Sequence, residues 1–195
     1  LHAGHGIPYL YSRTLYEDLH FFLQHGLLGT IFDSLTGNWA GQGLNYYVLA
    51  EFHSRPEASY EEIADEYFSA FGPAKVPIKR YHEYFERRTA MMPETIRRYG
   101  LSPRETWGGW WIAHIRLIPY FLTPQVAEEA EALLQEAENA VRDADPIYRD
   151  RVAVIRKGFE HTRLMAETFR KLRLHDPRQQ VNFAEAKDVL QPLWD

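Results

Sequence analysis

The sequence contains no cysteine among its 195 residues. A disulfide framework, a thiolate zinc site and a cysteine nucleophile are therefore excluded. Long apolar runs are also missing, since a stretch such as residues 110–113 (WWIA) is far shorter than the roughly 20 residues that cross a bilayer. We expect no membrane-spanning segment.

The sequence also lacks an excess of positive charge. Its 22 Lys and Arg against 27 Asp and Glu give a formal net charge of −5 at pH 7. Phosphate backbones and anionic lipids are bound by basic surfaces. We therefore expect neither nucleic acid nor a membrane surface as a partner.

Apolar and aromatic residues are plentiful. The hydrophobic content is 45% and the aromatic content 14%, which is enough for a sizeable core. Many aromatics are typical of sugar-binding proteins, but composition alone favours a packed core. The chain begins with Leu1 and shows no signal-peptide pattern, so either a leader was removed or, as we expect, the chain is a piece of a longer protein.

Residues 1–58 combine one helix pattern with one strand pattern. Thr14 and Glu17 form a capping box, which predicts a helix start, and Gly26 suits the position just after the helix end. The segment 28–33 (LGTIFD) is apolar and β-branched, which predicts a buried strand. The only other strand candidate is 7–11, so we expect the rest of the sheet upstream of this chain.

A loop at 34–43 follows the predicted strand and leads into a predicted helix at about 44–53. The order helix, strand, loop, helix is typical of the end of a (β/α)8 barrel, where loops after strands form the catalytic face. The sequence therefore predicts that residues 1–58 are the C-terminal end of a (β/α) barrel domain.

Residues 59–195 carry almost only helix patterns. Ser59 and Glu62 form a second capping box, and the helix that follows should stop at Gly72. Further helix starts are predicted at residues 102, 123, 145 and 182. At each of them a capping residue is followed directly by proline or, three positions later, by an acidic residue. Two of them head long amphipathic segments at about 124–144 and 146–173. We predict a mainly α chain in which a helical domain, an irregular bundle, packs on the barrel end.

Three segments resemble the DUF4838 family: 33–39 (DSLTGNW), 43–50 (GLNYYVLA) and 67–74 (YFSAFGPA). Residues 14–26 and the helix around 158–161 look similar as well, so the resemblance covers nearly the whole chain. It implies a barrel related to retaining glycosidases, an appended helical region and action on glycans. Some members of this family are endo-acting N-acetylglucosaminidases.

The resemblance also places the main catalytic carboxylates upstream of this chain. Glycosidases use a pair of carboxyl groups, and Glu17 and Glu51 lie on predicted helices outside the barrel. We therefore predict no catalytic residue in this segment.

Asp33, Asn38 and Trp39 are candidate substrate-binding residues. A carboxylate at the C-terminal end of a barrel strand points into the mouth of the barrel, although Asp33 could instead order its turn. An indole face stacks on a pyranose and an amide binds hydroxyls, which favours Trp39 and Asn38, with packing as the alternative for Trp39. Asn45 and Tyr46 begin the helix beneath this loop, where they either reach the site or cap and pack.

Other polar features favour structural roles. His2 and His5, with Tyr9 and Tyr11, either face the mouth of the barrel or belong to a frayed terminus, which is the interpretation we favour. Their His-x-x-His spacing has no helix or third ligand to support it, so we predict neither metal nor cofactor. The stripe of Trp107, Trp111 and His114 is typical of a core, and His161 is expected to be structural. The acidic residues of the predicted 124–144 helix should be a solvated surface, partly balanced by the later arginines Arg149, Arg151 and Arg156.

The leading hypothesis is the C-terminal segment of a secreted or periplasmic glycoside hydrolase. Its substrate would be a glycan or oligosaccharide and its structural partner the upstream barrel domain. A second hypothesis is a non-catalytic helical scaffold or protein-interaction module with no ligand of its own. A third, a metal hydrolase, depends on the terminal histidines.

Overall fold

A computed structural model describes residues 7–31, 38–98 and 118–172. The chain is mainly α-helical, and the described part contains no strand. The helices are α1 (Ser12–Gln24), α2 (Trp39–Ser54), α3 (Tyr60–Ser69), α4 (Lys75–Ala90), α5 (Met92–Arg98), α6 (Pro124–Ala140) and α7 (Pro146–Lys171), with a 3-10 turn at Gly72–Ala74 and a helical stretch at 118–121.

Helix α1 begins at Ser12, so the predicted capping box at Thr14 is wrong. A residue from another helix caps α1 instead. One carboxylate oxygen of Glu86, on α4, accepts hydrogen bonds from the Arg13 amide at 3.0 Å and from the Ser12 hydroxyl at 3.1 Å. This tertiary cap satisfies an amide of the first turn, a role that the sequence assigned to a local side chain.

The end of α1 lies where the sequence predicts it. Gly26 has a φ of 89°, a conformation that glycine adopts without a steric penalty. The Gly26 amide donates to the Leu23 carbonyl at 3.2 Å and the Leu27 amide donates to the Phe22 carbonyl at 3.0 Å. This pair of bonds is the Schellman motif that closes many helices.

The predicted buried strand is not found at residues 28–31. This segment has no regular secondary structure, and the side chains of Leu28 and Ile31 are fully exposed. The physical reason is that no described segment pairs with it, and a strand cannot satisfy its backbone alone. Within the segment, the Thr30 hydroxyl and the His53 ring form a hydrogen bond of 2.8 Å. Asp33 lies outside the described residues.

Helix α2 begins at Trp39, so the prediction of a loop up to residue 43 is wrong. The Asn38 side chain caps the helix, because its oxygen accepts from the Gly41 amide at 3.2 Å. The glycines that suggested a loop allow close packing instead. A Cβ at Gly43 would lie 2.8 Å from the Tyr67 hydroxyl.

The local capping predictions for three later helices are confirmed. The Ser59 and Glu62 side chains form the capping box of α3. Thr123 accepts from the Val126 amide at 3.3 Å to begin α6, and Asp145 accepts from the Ile147 amide at 2.9 Å to begin α7. Proline follows each of the last two caps, as the sequence predicts.

One hydrophobic core joins the two predicted parts of the chain. Leu44 and Val48 of α2 are buried in the same cluster as Ile63, Ile78 and Phe159. Helix α2 packs on α1, α3 and α7, while α4 packs on α6. A smaller cluster of Leu19, Leu49 and Phe52 joins α1 to α2. The core therefore crosses position 58 without a break.

The described helices include none that is both long enough and apolar enough to cross a membrane. The predictions for Ser102, for the tryptophan stripe at 107–111 with His114, for the helix from 182 and for His2 and His5 lie outside the described residues.

A candidate ligand-binding surface at the start of α2

Trp39 is an exposed aromatic residue with a buried aromatic support. It is the first residue of α2, and its side chain is 56% exposed. Its ring centroid lies 5.1 Å from that of Tyr46, with an interplanar angle of 69°. Tyr46 is buried, and its hydroxyl donates to the Gln42 side-chain oxygen at 3.3 Å. The helix thus fixes the ring beneath Trp39 and leaves much of the indole open to a ligand.

Asn38 precedes Trp39 and uses only half of its amide group. Its oxygen caps α2, whereas its nitrogen Nδ2 is buried and has no hydrogen-bond partner in the part of the chain that the structure describes. A buried N–H group without an acceptor costs stability, commonly about 1–3 kcal/mol. Asn38 therefore holds an unused donor next to the exposed indole.

Asn45 has a different environment from Asn38. It is fully buried. Its nitrogen donates to the Tyr9 carbonyl at 2.9 Å and its oxygen accepts from the Tyr11 amide at 3.1 Å. Both functions of the amide thus hold the segment before α1 against α2, which favours the packing alternative for this residue.

Tyr11 and Tyr9 lie on the segment that Asn45 holds. Burial raises the pKa of Tyr11 well above its ordinary value, and the nearby hydroxyls of Tyr46 and Tyr9 raise it further. Burial also raises the pKa of Tyr9. Both phenols therefore stay protonated at neutral pH and can donate hydrogen bonds but cannot act as bases.

The structure brings together three of the predicted site residues, Asn38, Trp39 and Tyr46. The prediction for Asp33 is not addressed by the described residues. Glu51, which was not predicted to be catalytic, forms an ion pair with Arg55 at 2.6 Å. No group of three or more potential metal ligands occurs within 7–31, 38–98 and 118–172.

The acidic surface of α6 is partly neutralised, as the sequence predicts. Arg156 of α7 donates to Glu131 and forms two bonds with Glu138, at 2.7 and 2.9 Å. Arg149 and Arg151 donate to backbone carbonyls instead. His161 is exposed. These contacts are those of a structural surface.

Sequence reasoning missed a groove of about 660 Å³ that α3 and α4 line together with Arg13 and Leu44. His82 lines this groove and is only 3% exposed. Its ring packs against Tyr67 and Phe68 of α3, with centroid distances of 5.6 and 5.3 Å. Burial lowers the pKa of His82 to about 4. A histidine between aromatic residues of a helix, as in 81–85 (YHEYF), was the available sequence clue.

No family model matches the chain, and neither the curated proteins nor the solved structures contain a match. A function for this chain is therefore argued from its residues and their geometry.

Proposed function

We propose that this chain is the C-terminal segment of a carbohydrate-active enzyme resembling the DUF4838 glycoside hydrolases. In this proposal the start of α2 contacts the glycan, and the catalytic carboxylates belong to an upstream barrel. The observation that carries the proposal is the exposed Trp39 indole, supported edge to face by the buried Tyr46.

The chemistry of this surface suits a sugar. The apolar face of a pyranose stacks on an exposed indole, and a rigid support reduces the entropy lost on binding. Asn38, the residue before Trp39, adds a polar group, but its Nδ2 is buried in this conformation and would bond to a hydroxyl or acetamido oxygen only after the side chain turns outward. A stacking residue beside a polar group is a common arrangement in ligand sites.

A second observation supports the barrel as a structural partner. Phe21 and Phe22 near the end of α1 are about half exposed, and Leu28 and Ile31 just beyond it are fully exposed. Exposed apolar side chains that are this close in sequence are typical of a surface that another folded unit covers. In the proposed enzyme, residues 28–33 would pair with barrel strands.

The same exposed residues favour the alternative, a helical scaffold or protein-interaction module. In that case the covering unit would be a partner protein, and Trp39 would contact that protein or only pack. The two proposals differ in what the loss of the Trp39 indole should do.

The test is a calorimetric titration with N-acetylglucosamine oligomers. It is carried out on this chain alone and on the protein that includes the upstream region. Trp39→Ala should weaken binding about tenfold, equivalent to about 1.4 kcal/mol. The melting temperature should change little because the indole is largely exposed. Trp39→Phe should retain part of the affinity, since it keeps an aromatic face.

Val76→Ala provides the control, because Val76 is a 64% exposed apolar residue on α4 and lies outside both the Trp39 surface and the proposed barrel contact. It should leave oligosaccharide affinity unchanged. Equal losses in Trp39→Ala and Val76→Ala would contradict a stacking platform. No binding by the protein with its upstream region would favour the scaffold alternative.

A further inference from the structure

The groove between α3 and α4 has an acidic lining. It holds two cationic side chains, Arg13 and Lys79. The carboxylates that line it are Glu61, Glu62, Asp65, Glu66, Glu83 and Glu86. The lining therefore carries a clear negative excess.

Most of these carboxylates already have partners that explain them. Glu61 pairs with Arg13 at 2.8 Å, Asp65 with Lys75 at 2.6 Å and Glu66 with Arg55 at 2.6 Å. Glu62 belongs to the capping box of α3. Acidity alone would therefore be an ordinary solvated helix surface.

Glu86 differs from these residues because no cationic side chain of the described residues is in ion-pair contact with it. One of its oxygens accepts from the Ser12 hydroxyl and the Arg13 amide. These neutral donors do not cancel its charge. The nearby Arg13 guanidinium is directed to Glu61 and lies over the Tyr60 ring at 4.1 Å.

His82 is the independent feature that points to a ligand. Its Nδ1 lies 2.9 Å from the Ile78 carbonyl, and a carbonyl can only accept, so Nδ1 carries the proton. In the neutral ring Nε2 is then an acceptor. Nε2 makes no hydrogen bond within the described residues, although the side chain is 97% buried. His82 lines the groove, and because Nδ1 is engaged by its own helix, Nε2 is the ring nitrogen that remains for a ligand.

His82 and Glu86 are four residues apart on α4 and therefore lie on one face. Side chains at this spacing have Cβ atoms roughly 5–6 Å apart. One donor group between them can bond to the imidazole Nε2 and the carboxylate together. A cationic group with several N–H bonds can donate to both acceptors, and its charge balances the negative excess of the lining.

We propose that this groove binds an aliphatic primary ammonium group, with His82 Nε2 and the Glu86 carboxylate accepting its N–H donors. The groove volume of about 660 Å³ accommodates a ligand with an alkyl chain. Leu44 and Phe68, also in the lining, contact that chain. The ammonium comes from a free amine or from a lysine side chain. This site is separate from the surface at Trp39 and goes beyond the proposed function.

The probe is 1,5-diaminopentane, titrated at low ionic strength by calorimetry and by two-dimensional NMR. We expect saturable binding with shifts centred on α3 and α4, and no comparable binding of 1,5-pentanediol, which has the same chain without charge. Glu86→Gln and His82→Phe should each weaken binding about tenfold. His82→Phe keeps a packed ring but removes the acceptor.

Glu128→Gln is the matched control, because Glu128 is an exposed carboxylate on α6. This variant removes the same charge and should leave affinity unchanged. A lysine-containing peptide in a parallel titration distinguishes the two sources of the ammonium, since the true source should bind more tightly.

Three results would overturn the proposal. These are equal binding of the diol, equal weakening by Glu128→Gln and Glu86→Gln, or no saturable binding of either amine in the millimolar range. Circular dichroism of each variant confirms that a loss of affinity is not a loss of the fold.

Discussion

Acid should destabilise this protein partly through His82. Burial lowers the pKa of His82 to about 4 in the folded chain from 6.5. Between these two pH values the unfolded chain binds more protons than the folded chain, so the free energy of unfolding must fall as the pH falls. The stabilising contribution is fully present above about pH 6.5 and is lost as the pH approaches 4.

The size of the effect follows from the two pKa values. Between pH 7 and pH 4.5 the linkage relation gives a loss of about 2 kcal/mol from this one group. Hydrogen bonds from Arg13, Ser59 and Lys75 lower the pKa values of Glu61, Glu62 and Asp65. Their contribution is present above the unfolded pKa and is lost only as the pH falls further.

The assay is urea unfolding of the wild type and of His82→Phe at pH 7 and pH 4.5. The variant retains the surface carboxylates, so subtracting its pH dependence isolates the imidazole. We expect the wild type to lose about 2 kcal/mol more than the variant over this interval. If the two proteins lose the same stability, His82 is not desolvated in the folded state and the reasoning is wrong.

Two further predictions concern packing around α2. Asn45→Ala removes both hydrogen bonds to the segment at Tyr9 and Tyr11 and should lower the free energy of unfolding in urea by about 2–4 kcal/mol. An unchanged free energy of unfolding would contradict the role of Asn45 in holding that segment against α2. Gly158→Ala should lower the melting temperature although alanine is the better helix former by about 1 kcal/mol, because its Cβ would lie 2.5 Å from the Ala40 Cβ. An unchanged or raised melting temperature would mean that α2 and α7 can separate at little cost.

The sequence predicts those parts of the fold that depend on neighbouring residues. The caps at Ser59, Thr123 and Asp145 each act within three residues, and Gly26 acts through its own φ angle. Such local chemistry is visible in a single sequence. Helix starts and stops were therefore predictable at these positions.

The misplaced helix starts have long-range causes. Glu86, which caps α1, is 73 residues away from Arg13 in the sequence. The capping box at Thr14, which depends on neighbouring residues alone, therefore predicted the wrong helix start. At α2 the glycines 41 and 43 suggested a loop, but they serve close approach of other side chains. A glycine required for packing and a glycine required for a turn have the same sequence signature.

The candidate surface at α2 was predictable because its residues are consecutive or one helical face apart. Asn38, Trp39 and Tyr46 follow from one stretch of sequence and the helical repeat. The groove at His82 was not predictable in this way, because α3 and α4 both line it. Its acceptor also depends on which ring nitrogen faces the Ile78 carbonyl, and sequence does not specify this.

Residues 28–31 explain why the strand prediction was wrong for the described structure and yet useful. Strand propensity is largely the fit of a side chain to a pleated, half-buried surface, so it has no effect where no neighbouring strand exists. The segment has the composition of a buried strand, but Leu28 and Ile31 are fully exposed. Pairing with a sheet from another folded unit would bury both side chains and satisfy the backbone in one step. The same wrong prediction therefore provides the physical basis for proposing an upstream barrel.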